Sequence, residues 1–407
     1  MQIDVHSLET FNRLAHEGAE EAATSLTEMT GIETTVTVTQ TSLMTTADLL
    51  AELDGDDLVG IKIGFEGELD GETMLVFDEA TAARIVEVLL PENHGEGFDA
   101  MAQSGLEEIG NIMIGGFTTG WSEYLGNAID ITPPTYVDGS VTKVLTAQSK
   151  TATEDDHLFV LESQIEFIDE QIECGIYMLP GYRTLLDAIA DRSGTNEQGL
   201  PLDKLTVYQE MTKQGAGLVA DNITSMAGVE TCVDISRLSF VPVERIPSRL
   251  DDTPHVGVVF EFDGLPSGYL VIAFDERSAY LIAEKLMPMD TDADGFEDVH
   301  ESAIRELSNI MTSGLVDGWA NVLETSIEIS TPQMVADMGS ALLDPVMVEV
   351  SREQSRAFML DSTIGTDELD FSCEIFAIPR EDELREALNQ LSVEQADELE
   401  ADPSTHF

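Results

Sequence analysis

Cysteine is scarce in this chain of 407 residues, and its three cysteines, Cys174, Cys232 and Cys373, lie far apart. No two of them form a CxxC pair, so the spacing argues against zinc motifs and offers no disulfide framework. So low a thiol count suits a reducing cytosol. Cys174 and Cys373 occupy equivalent apolar segments, and we expect both to be buried filler residues.

Basic residues are also scarce: 19 Lys and Arg stand against 79 Asp and Glu, for a formal net charge of −60. Such a surface repels phosphate backbones, which argues against nucleic acid and anionic membranes as partners. The acidic residues are spread over the whole length rather than collected in a tail. This distribution is typical of halophiles with a salt-rich cytosol, where salt screens the self-repulsion.

Long hydrophobic runs are missing as well, since no segment approaches the roughly 18 continuous apolar residues of a membrane span. The first residues, Met-Gln-Ile-Asp-Val-His, lack the basic and apolar regions of a signal peptide. We therefore expect a cytoplasmic protein without membrane insertion. Apolar residues make up 43% of the chain, which is enough for packed cores in two or three domains.

The chain contains a long internal repeat. The segment SGLEEIGNIMIGGFTTGWSEYLGNAIDITPPTYV from Ser104 aligns with SAIRELSNIMTSGLVDGWANVLETSIEISTPQMV from Ser302, without a gap, at an offset of 198 residues. Three shorter pairs recur at nearly the same offset: MTGIETTV with MAGVETCV, FDE with FDE, and CGIYMLP with CEIFAIP. A period of about 200 residues is too long for a solenoid and indicates two homologous domains.

The polar segment SGTNEQGLP, with its glycines and proline, is the expected boundary between the copies. We predict domain 1 at 1–193, a linker at 194–201, domain 2 at 202–400 and a flexible C-terminus at 401–407. In each copy the pattern predicts a helix, strands, a second helix stopped by proline, a longer helix and further strands. The predicted fold class is α+β, with long helices packed on a largely antiparallel sheet.

The longest predicted helix of each copy carries a polar stripe. At about 100° per residue, Ser104, Glu108 and Asn111 fall within roughly 60° of one another on a helical wheel. Apolar residues cover the opposite side, where a core would be: Leu106, Ile109, Ile112 and Met113. The second copy repeats the stripe with Ser302, Glu306 and Asn309. It is backed by Ile304, Leu307, Ile310 and Met311.

A solvated helix face is the plain alternative explanation of such a stripe. Against it, asparagine is about 0.6 kcal/mol less favourable than alanine inside a helix, and it lies mid-helix in both copies. The copies differ at most surface positions, yet they agree at Ser, Glu, Asn and the following Ile-Met. Pro134 and Pro332 each follow their asparagine by 23 residues. This agreement favours a functional site.

The pattern Asp/Ser-x3-Glu-x2-Asn-x22-Pro resembles the signature of the CheC, CheX and FliY phosphatases, and the chain contains it twice. The resemblance implies two tandem CheC-like domains, each with an internal pseudo-twofold. Family members also carry the signature on the first helix of the domain. There, copy 1 has Arg13 and His16, and copy 2 has Glu210 and Lys213, at the Glu and Asn positions. The first helices are therefore expected to be structural.

The resemblance further implies an enzyme that hydrolyses the phospho-aspartate of CheY-type response regulators. Asn111 and Asn309 are then the catalytic residues that position the attacking water. Glu108 and Glu306 are the catalytic partners that bind the regulator's lysine. This chain is expected to bind no cofactor of its own, because the regulator supplies Mg²⁺.

Four further residues are assigned supporting roles by the resemblance. Ser104 and Ser302 are expected to support docking, and Pro134 and Pro332 to fix the chain after each helix. Two alternative functions stay open at this point. One is an adaptor that binds phosphorylated CheY at the motility switch with little hydrolysis, and the other is a scaffold for the receptor deamidase CheD.

One acidic segment fits a calcium loop. Residues 290–301, DTDADGFEDVHE, match the EF-hand pattern, with Asp290, Asp292, Asp294 and Glu301 as the ligands. Copy 1 has no such ligand series, and the usually apolar eighth position is Glu297. Because acidic runs are common in this composition, a solvated loop is the simpler interpretation.

Overall fold

The computed structural model describes residues 2–3, 5–52, 58–67, 70–89, 100–125, 128–138, 157–167, 172–181, 200–251, 253–287, 296, 298–323, 325–366 and 371–390. The chain divides into two compact units, one comprising Ile3–Gly199 and the other comprising the chain from Leu200 onward together with the first two residues. Most of the predicted linker and the whole predicted C-terminal tail lie outside the described residues, so their limits stay predictions.

The helices and strands of the first unit follow one another largely as the sequence pattern predicts. After β1 (Gln2–Ile3), its described elements are α1 (Val5–Thr30), β2 (Thr34–Thr45), α2 (Thr46–Glu52), β3 (Leu58–Gly67), β4 (Gly71–Asp78), α3 (Glu79–Leu89), α4 (Ala100–Leu125), β5 (Ile129–Ile131), β6 (Thr135–Asp138), β7 (His157–Phe167) and β8 (Ile172–Pro180). The sheet runs β2-β7-β8-β4-β3, and both β5 and β6 pair with β3 at the edge. Every one of these pairings is antiparallel.

The second unit repeats this plan. Its described elements are β9 (Leu200–Pro201), α5 (Leu202–Ala227), β10 (Cys232–Pro242), a 3-10 helix (Val243–Arg249), β11 (Pro254–Asp263), β12 (Gly268–Asp275), α6 (Glu276–Leu286), α7 (Asp298–Val322), β13 (Glu328–Ile329), β14 (Gln333–Met338), α8 (Gly339–Val350), β15 (Arg356–Thr366), β16 (Phe371–Pro379) and α9 (Glu381–Gln390). The sheet order is β14-β11-β12-β16-β15-β10, with β13 also on β11. The strand order is equivalent when read from either edge of the sheet. Along the chain, each half of the unit runs helix–strand–helix–strand–strand–helix. Both features match the expected pseudo-twofold.

The sheet of the second unit is covered on both faces. In the second unit α5, α6 and α7 lie on one face. The other face packs against the 3-10 helix and α8 through a core that includes Val243, Leu342, Val271 and Phe376. Strand residues alternate between these two layers, which is why the central strands are apolar on both sides. The predicted mixture of helices and antiparallel sheet is confirmed.

The repeated sequence motifs have local structural causes. Gly31 and Gly228, at φ 73° and 69°, end α1 and α5 in the left-handed region that favours glycine. Their N–H groups donate to the carbonyls of Thr27 and Thr224, both at 2.9 Å. Equivalent glycines therefore stop equivalent helices in the two copies.

The repeated FDE motif caps a helix in each unit. Asp78 Oδ1 accepts from the Thr81 N–H at 2.6 Å, and Asp275 Oδ1 accepts from the Ser278 N–H at 2.8 Å. A side-chain oxygen at this position satisfies one of the free amides of the first helical turn. Capping is therefore the reason for this repeat.

Some elements differ from the sequence-based expectations. The pattern did not indicate α2, α8 or α9, which are short or contain a proline, as α8 does at Pro345. Cys373 is buried as predicted, and burial raises the pKa of its thiol. The side chain of Cys174 lies outside the described residues. Among the helices that the structure describes, none has the length and hydropathy needed to cross a bilayer.

Candidate functional site

Helix α4 is held firmly from behind. Leu106, Ile109 and Met113 recur at three- and four-residue spacing, and each is fully buried against the sheet layer. Farther along, Trp121 packs edge-on against Phe65 of β3, with 6.4 Å between ring centroids. The apolar side of the helix is thus fixed along its length, as the spacing predicted, and the stripe on the other side has a defined position.

Gly110 sets how closely α4 approaches the sheet. A Cβ at this position would stand 2.5 Å from Cγ2 of Ile61 in β3, a separation that real Cβ atoms do not show. Glycine therefore lets the helix backbone rest directly on β3 at the residue before Asn111. The close approach fixes the height of the asparagine above the sheet.

Helix α7 is anchored in the same way. Ile304, Leu307 and Met311 are buried, with at most 1% of any of them exposed. Trp319 packs edge-on against Phe262 of β11 at 5.7 Å, which repeats the contact between Trp121 and Phe65. The repeated tryptophans therefore have a packing role.

The polar stripe lies on the accessible side of both helices. Ser104 and Glu108 are exposed and Asn111 is half-buried on α4, whereas Ser302, Glu306 and Asn309 are all exposed on α7. Within the part of the chain that the structure describes, the side chains of these six residues make no hydrogen bond or ion pair. The stripe spans eight residues, or about 10 Å along the helix. Its carboxylate and amide are free to engage another molecule.

The stripe is unlike the other repeated features. The repeated glycines end helices, the repeated aspartates cap helices, and the repeated tryptophans pack in the core. Glu108, Asn111, Glu306 and Asn309 do none of these things, and asparagine lowers helix stability. Packing and folding do not account for their repetition, so recognition or chemistry is the better explanation.

Pro134 and Pro332 lie on the chain that leaves each helix. Each is half-buried, and they stand between β5 and β6 and between β13 and β14, at the edge of the sheet. In the first unit, Oε1 of Glu107 accepts from the N–H of Tyr136 at 3.1 Å, which ties β6 to α4 beside the stripe. The assigned supporting role of the two prolines stays a prediction.

Two isoleucines depart from the sequence-based expectation. Ile112 and Ile310 were expected in the core, but the structure leaves both half-buried. On the wheel they lie about 40° from Glu108 and Glu306, at the margin of the buried side. The helical period places them at the border between core and surface, so the sequence alone could not decide their burial.

The first helices, α1 and α5, pack against the stripe-bearing helices. The structure does not describe a complete second stripe on either of them. Gly116 of α4 lies against the backbone of Ala22 in α1, where a Cβ would come within 3.2 Å. His16 is half-exposed and lies 3.4 Å from Glu20. The side chains of Arg13 and Glu210 lie outside the described residues. A purely structural role for α1 and α5 stays a prediction.

The predicted calcium loop falls mainly outside the described part of the chain. Asp290, Asp292 and Asp294 are not described, and Glu301 is the fourth residue of α7, with its Oε2 3.9 Å from Nη2 of Arg305. Among the described residues no cluster of three or more His, Cys, Asp or Glu could hold a metal ion. The calcium hypothesis therefore stays untested.

Sequence reasoning missed one buried pair beside the second stripe. It assigned no partner to His300, but Nε2 of this fully buried residue lies 3.0 Å from Oε1 of Glu284 on α6. The ring of Tyr280 packs edge-on against the imidazole at 5.1 Å. The one available signal was a histidine at the start of an otherwise acidic helical turn.

A second cluster of charges lies on the opposite layer of the second unit. Nε of Arg237 and Nη2 of Arg249 lie 3.2 and 3.4 Å from Oδ2 of Asp361. Burial, together with Asp361 and Asp251, raises the pKa of nearby Glu374 to about 7, while the two arginines lower it. Glu374 lies on the same strand face as Phe376 of the core beneath the 3-10 helix, so this cluster is separate from the stripe.

Comparison with known proteins identifies the same two regions. The family model for the chemotaxis phosphatase CheX matches residues 59–154 and 256–352. The chain is 33% identical over 185 residues to the putative CheY-P phosphatase CheC1 of Halobacterium salinarum, covering 44% of this chain and 92% of that protein. It is 33% identical over 82 residues to the CheY-P phosphatase CheX of Thermotoga maritima, covering 20% and 52% of the two chains.

Among solved structures, FliY of Thermotoga maritima matches 46% of this chain and 96% of its own, with 20% identity and a TM-score of 0.38. Both stripe-bearing helices fall inside the segments that match the family model. The halobacterial relative agrees with the halophilic interpretation of the acidic composition. One matching segment in each unit, together with one-third identity over nearly all of a CheC protein, shows that this chain belongs to the CheC/CheX family of chemotaxis phosphatases.

Proposed function

We propose that this protein hydrolyses the phospho-aspartate of CheY-type response regulators, using one helix in each unit. One observation carries the proposal: each copy presents a carboxylate and an amide three residues apart, on the accessible side of a firmly packed helix and without partners in the described chain. The relatives from Halobacterium salinarum and Thermotoga maritima are named a putative CheY-P phosphatase and a CheY-P phosphatase, which supports this substrate.

Asn111 and Asn309 position the attacking water. Hydrolysis of an acyl phosphate needs a water in line with the phosphorus, and holding it there converts a chance encounter into a reaction within a complex. A side-chain amide both donates and accepts hydrogen bonds, so it can orient the water. It also carries no charge that would repel the phosphoryl oxygens.

Glu108 and Glu306 hold the regulator in register. A carboxylate accepts charge-assisted hydrogen bonds from a lysine ammonium group, and the regulator carries such a lysine beside its phospho-aspartate. The glutamate and the asparagine stand one turn apart, so engaging the lysine brings the amide to the phosphoryl group. Mg²⁺ arrives as part of the phosphorylated regulator and neutralises charge on the phosphoryl oxygens.

The test is single-turnover phosphate release from a phosphorylated CheY-type regulator at high salt. The variants are Asn111→Ala, Asn309→Ala and the double variant. Asn321→Ala is the matched control, because Asn321 is also exposed on α7 but lies outside the stripe. If both sites work independently, each single variant keeps about half the rate, and the double variant loses about 100-fold, the scale of losing one positioned hydrogen-bonding group.

Each outcome has a clear meaning. Wild-type rates in the double variant would show that the asparagines do not carry the reaction. Tight binding of the phosphorylated regulator, with slow phosphate release by the wild-type chain itself, would instead identify an adaptor. The control should behave as wild type, and far-UV circular dichroism should confirm that all variants are folded.

A further inference from the structure

Each stripe-bearing helix presents an exposed apolar side chain one turn before its serine. Met101 of α4 is 54% exposed and Val299 of α7 is 47% exposed. They stand at equivalent positions, at the same offset of 198 residues as the stripe. Among the large apolar side chains that the structure describes as exposed, Met101 and Val299 are the one pair at equivalent positions of the two copies. A lone exposed methionine needs no explanation, but the same exposure in both copies does.

These side chains extend the stripe instead of lying apart from it. On the wheel Met101 falls about 20° from Glu108, and half-buried Ile112 falls about 20° beyond Met101. Met101 and Ile112 therefore line the Glu108 side of the stripe over about 16 Å of helix. Val299 and Ile310 repeat this border beside Glu306 on α7. An apolar edge therefore runs beside the polar residues in both units.

Beyond Asn111, at the C-terminal end of the stripe on α4, the space beside the helix is empty. Gly115 lies one turn after Asn111 and on the same side of α4, and a Cβ built on it would meet nothing within 4 Å. Packing explains Gly110 and Gly116 of this helix but not Gly115, although glycine is less favourable than alanine inside a helix. The second copy has another small residue, Ser313, at this position. Small residues there leave room for a neighbouring molecule close to the asparagine.

We propose that the CheY-type regulator docks along about four turns of each helix, from Met101 to Gly115 on α4 and from Val299 to Ser313 on α7. Met101 or Val299 inserts into an apolar recess of the regulator, and the regulator's backbone approaches the small residue beyond the asparagine. This inference rests on the proposed function, which brings the phospho-aspartate to Asn111 or Asn309.

Size and salt both favour the regulator as the occupant of the whole strip. A domain of about 100 residues has a radius of gyration near 13 Å, so one that reaches the asparagine also covers the roughly 20 Å from Met101 to Gly115. At about 1 M salt the screening length falls to about 3 Å, which weakens ionic docking, whereas apolar contacts keep their strength. A halophilic phosphatase therefore needs apolar contacts around its polar catalytic residues.

The test isolates one site at a time. Met101→Ala is made in the Asn309→Ala background, and Val299→Ala in the Asn111→Ala background. Each should raise the KM for the phosphorylated regulator about 10-fold, the effect of losing most of a buried apolar side chain, and leave kcat unchanged. Met226→Ala is the matched control, because Met226 is 42% exposed but lies at the end of α5.

Gly115→Gln, in the Asn309→Ala background, tests the open end of the strip. It should raise the KM while raising the unfolding midpoint by about 2 °C, because glutamine is the better helix former and the space is empty. A fall in stability would indicate a structural role. Unchanged KM values in Met101→Ala, Val299→Ala and Gly115→Gln would overturn the docking strip.

A binding measurement separates the two proposals. The probe is a CheY-type regulator activated with beryllofluoride, titrated into the Asn111→Ala/Asn309→Ala variant with and without Met101→Ala and Val299→Ala. Weaker binding on loss of the apolar side chains supports the strip, even if wild type releases no phosphate and the catalytic proposal fails. Equal binding by both proteins overturns the strip and leaves catalysis standing. If the wild-type chain, titrated in parallel, does not bind the activated regulator, both proposals are overturned.

Discussion

Oε1 of Glu284 and Nε2 of His300 lie 3.0 Å apart and join α6 to the first turn of α7. His300 is fully buried and precedes Ser302, the first residue of the second stripe, by two positions. The equivalent positions of the first unit are Ala102 and Glu87, which cannot form this pair. The two stripes are thus held by different contacts at their N-terminal ends.

Replacing His300 by alanine should destabilise the second unit by about 2–4 kcal/mol. The change leaves a cavity and removes the imidazole partner of the Glu284 carboxylate, which is 20% exposed. Urea unfolding is followed by the fluorescence of Trp319 in a Trp121→Phe background, so that the signal reports on the second unit alone. His16→Ala, a half-exposed histidine near Glu20, should change stability by less than about 0.5 kcal/mol. Equal effects of the two substitutions would contradict a special role for His300.

Two glycines of α4 should respond to alanine in opposite ways. Gly110→Ala places a Cβ 2.5 Å from Cγ2 of Ile61, so the helix must shift, at a cost of about 1–3 kcal/mol. Gly115→Ala meets nothing and should stabilise the helix by about 0.5–1 kcal/mol. Urea unfolding of both variants, followed by Trp121 in a Trp319→Phe background, measures the contrast. A stabilised Gly110→Ala protein would show that α4 does not rest on β3 as described.

The buried carboxyl of Glu374 should make the second unit less stable as the pH rises. Burial, Asp361 and Asp251 raise its pKa to about 7, above the roughly 4.3 of an unfolded chain. The folded state therefore binds its proton more tightly. The resulting stability is fully present below about pH 4.3 and is lost as the pH rises toward 7.

Glu374→Gln should flatten this dependence. Between pH 5 and 8 wild type should lose about 2 kcal/mol relative to the variant, as measured by unfolding at fixed salt with Trp319 as the reporter. Glu328→Gln, an exposed glutamate of β13, is the control and should follow wild type. Parallel pH profiles of wild type and Glu374→Gln would rule out this linkage.

Salt should stabilise the whole protein. With a net charge of −60, folding brings like charges together, and raising KCl from 0.1 to 2 M shortens the screening length from about 10 Å to less than 3 Å. We expect the midpoint of thermal unfolding to rise by at least about 5 °C. Sucrose at equal osmolarity should give a smaller rise, because it does not screen charge. An unchanged midpoint in KCl would argue against self-repulsion.

Several features could be predicted from particular residues. The offset between Trp121 and Trp319 indicated the duplication, and the spacing of Leu106, Ile109 and Met113 identified the buried side of α4. The same spacing placed Glu108 and Asn111 on the accessible side. These inferences succeed because a helix repeats every 3.6 residues, so a local pattern determines which side chains share a face.

Other features depend on partners that are distant in sequence. Arg237 and Asp361 pair across neighbouring strands although 124 residues separate them, and the partner of His300 lies 16 residues away. The half-burial of Ile112, the open space at Gly115 and the contact between Gly110 and Ile61 also depend on how the helix sits on the sheet.

The amino-acid sequence thus determined the two copies, the two helices and the residues of each stripe, because all of these depend on repetition and helical period. Tertiary structure decided which border residues stay exposed, how high Asn111 stands above the sheet and which contacts hold Ser302 in place. The physical reason is that burial and close approach are properties of packed surfaces. Such surfaces form only when distant segments meet.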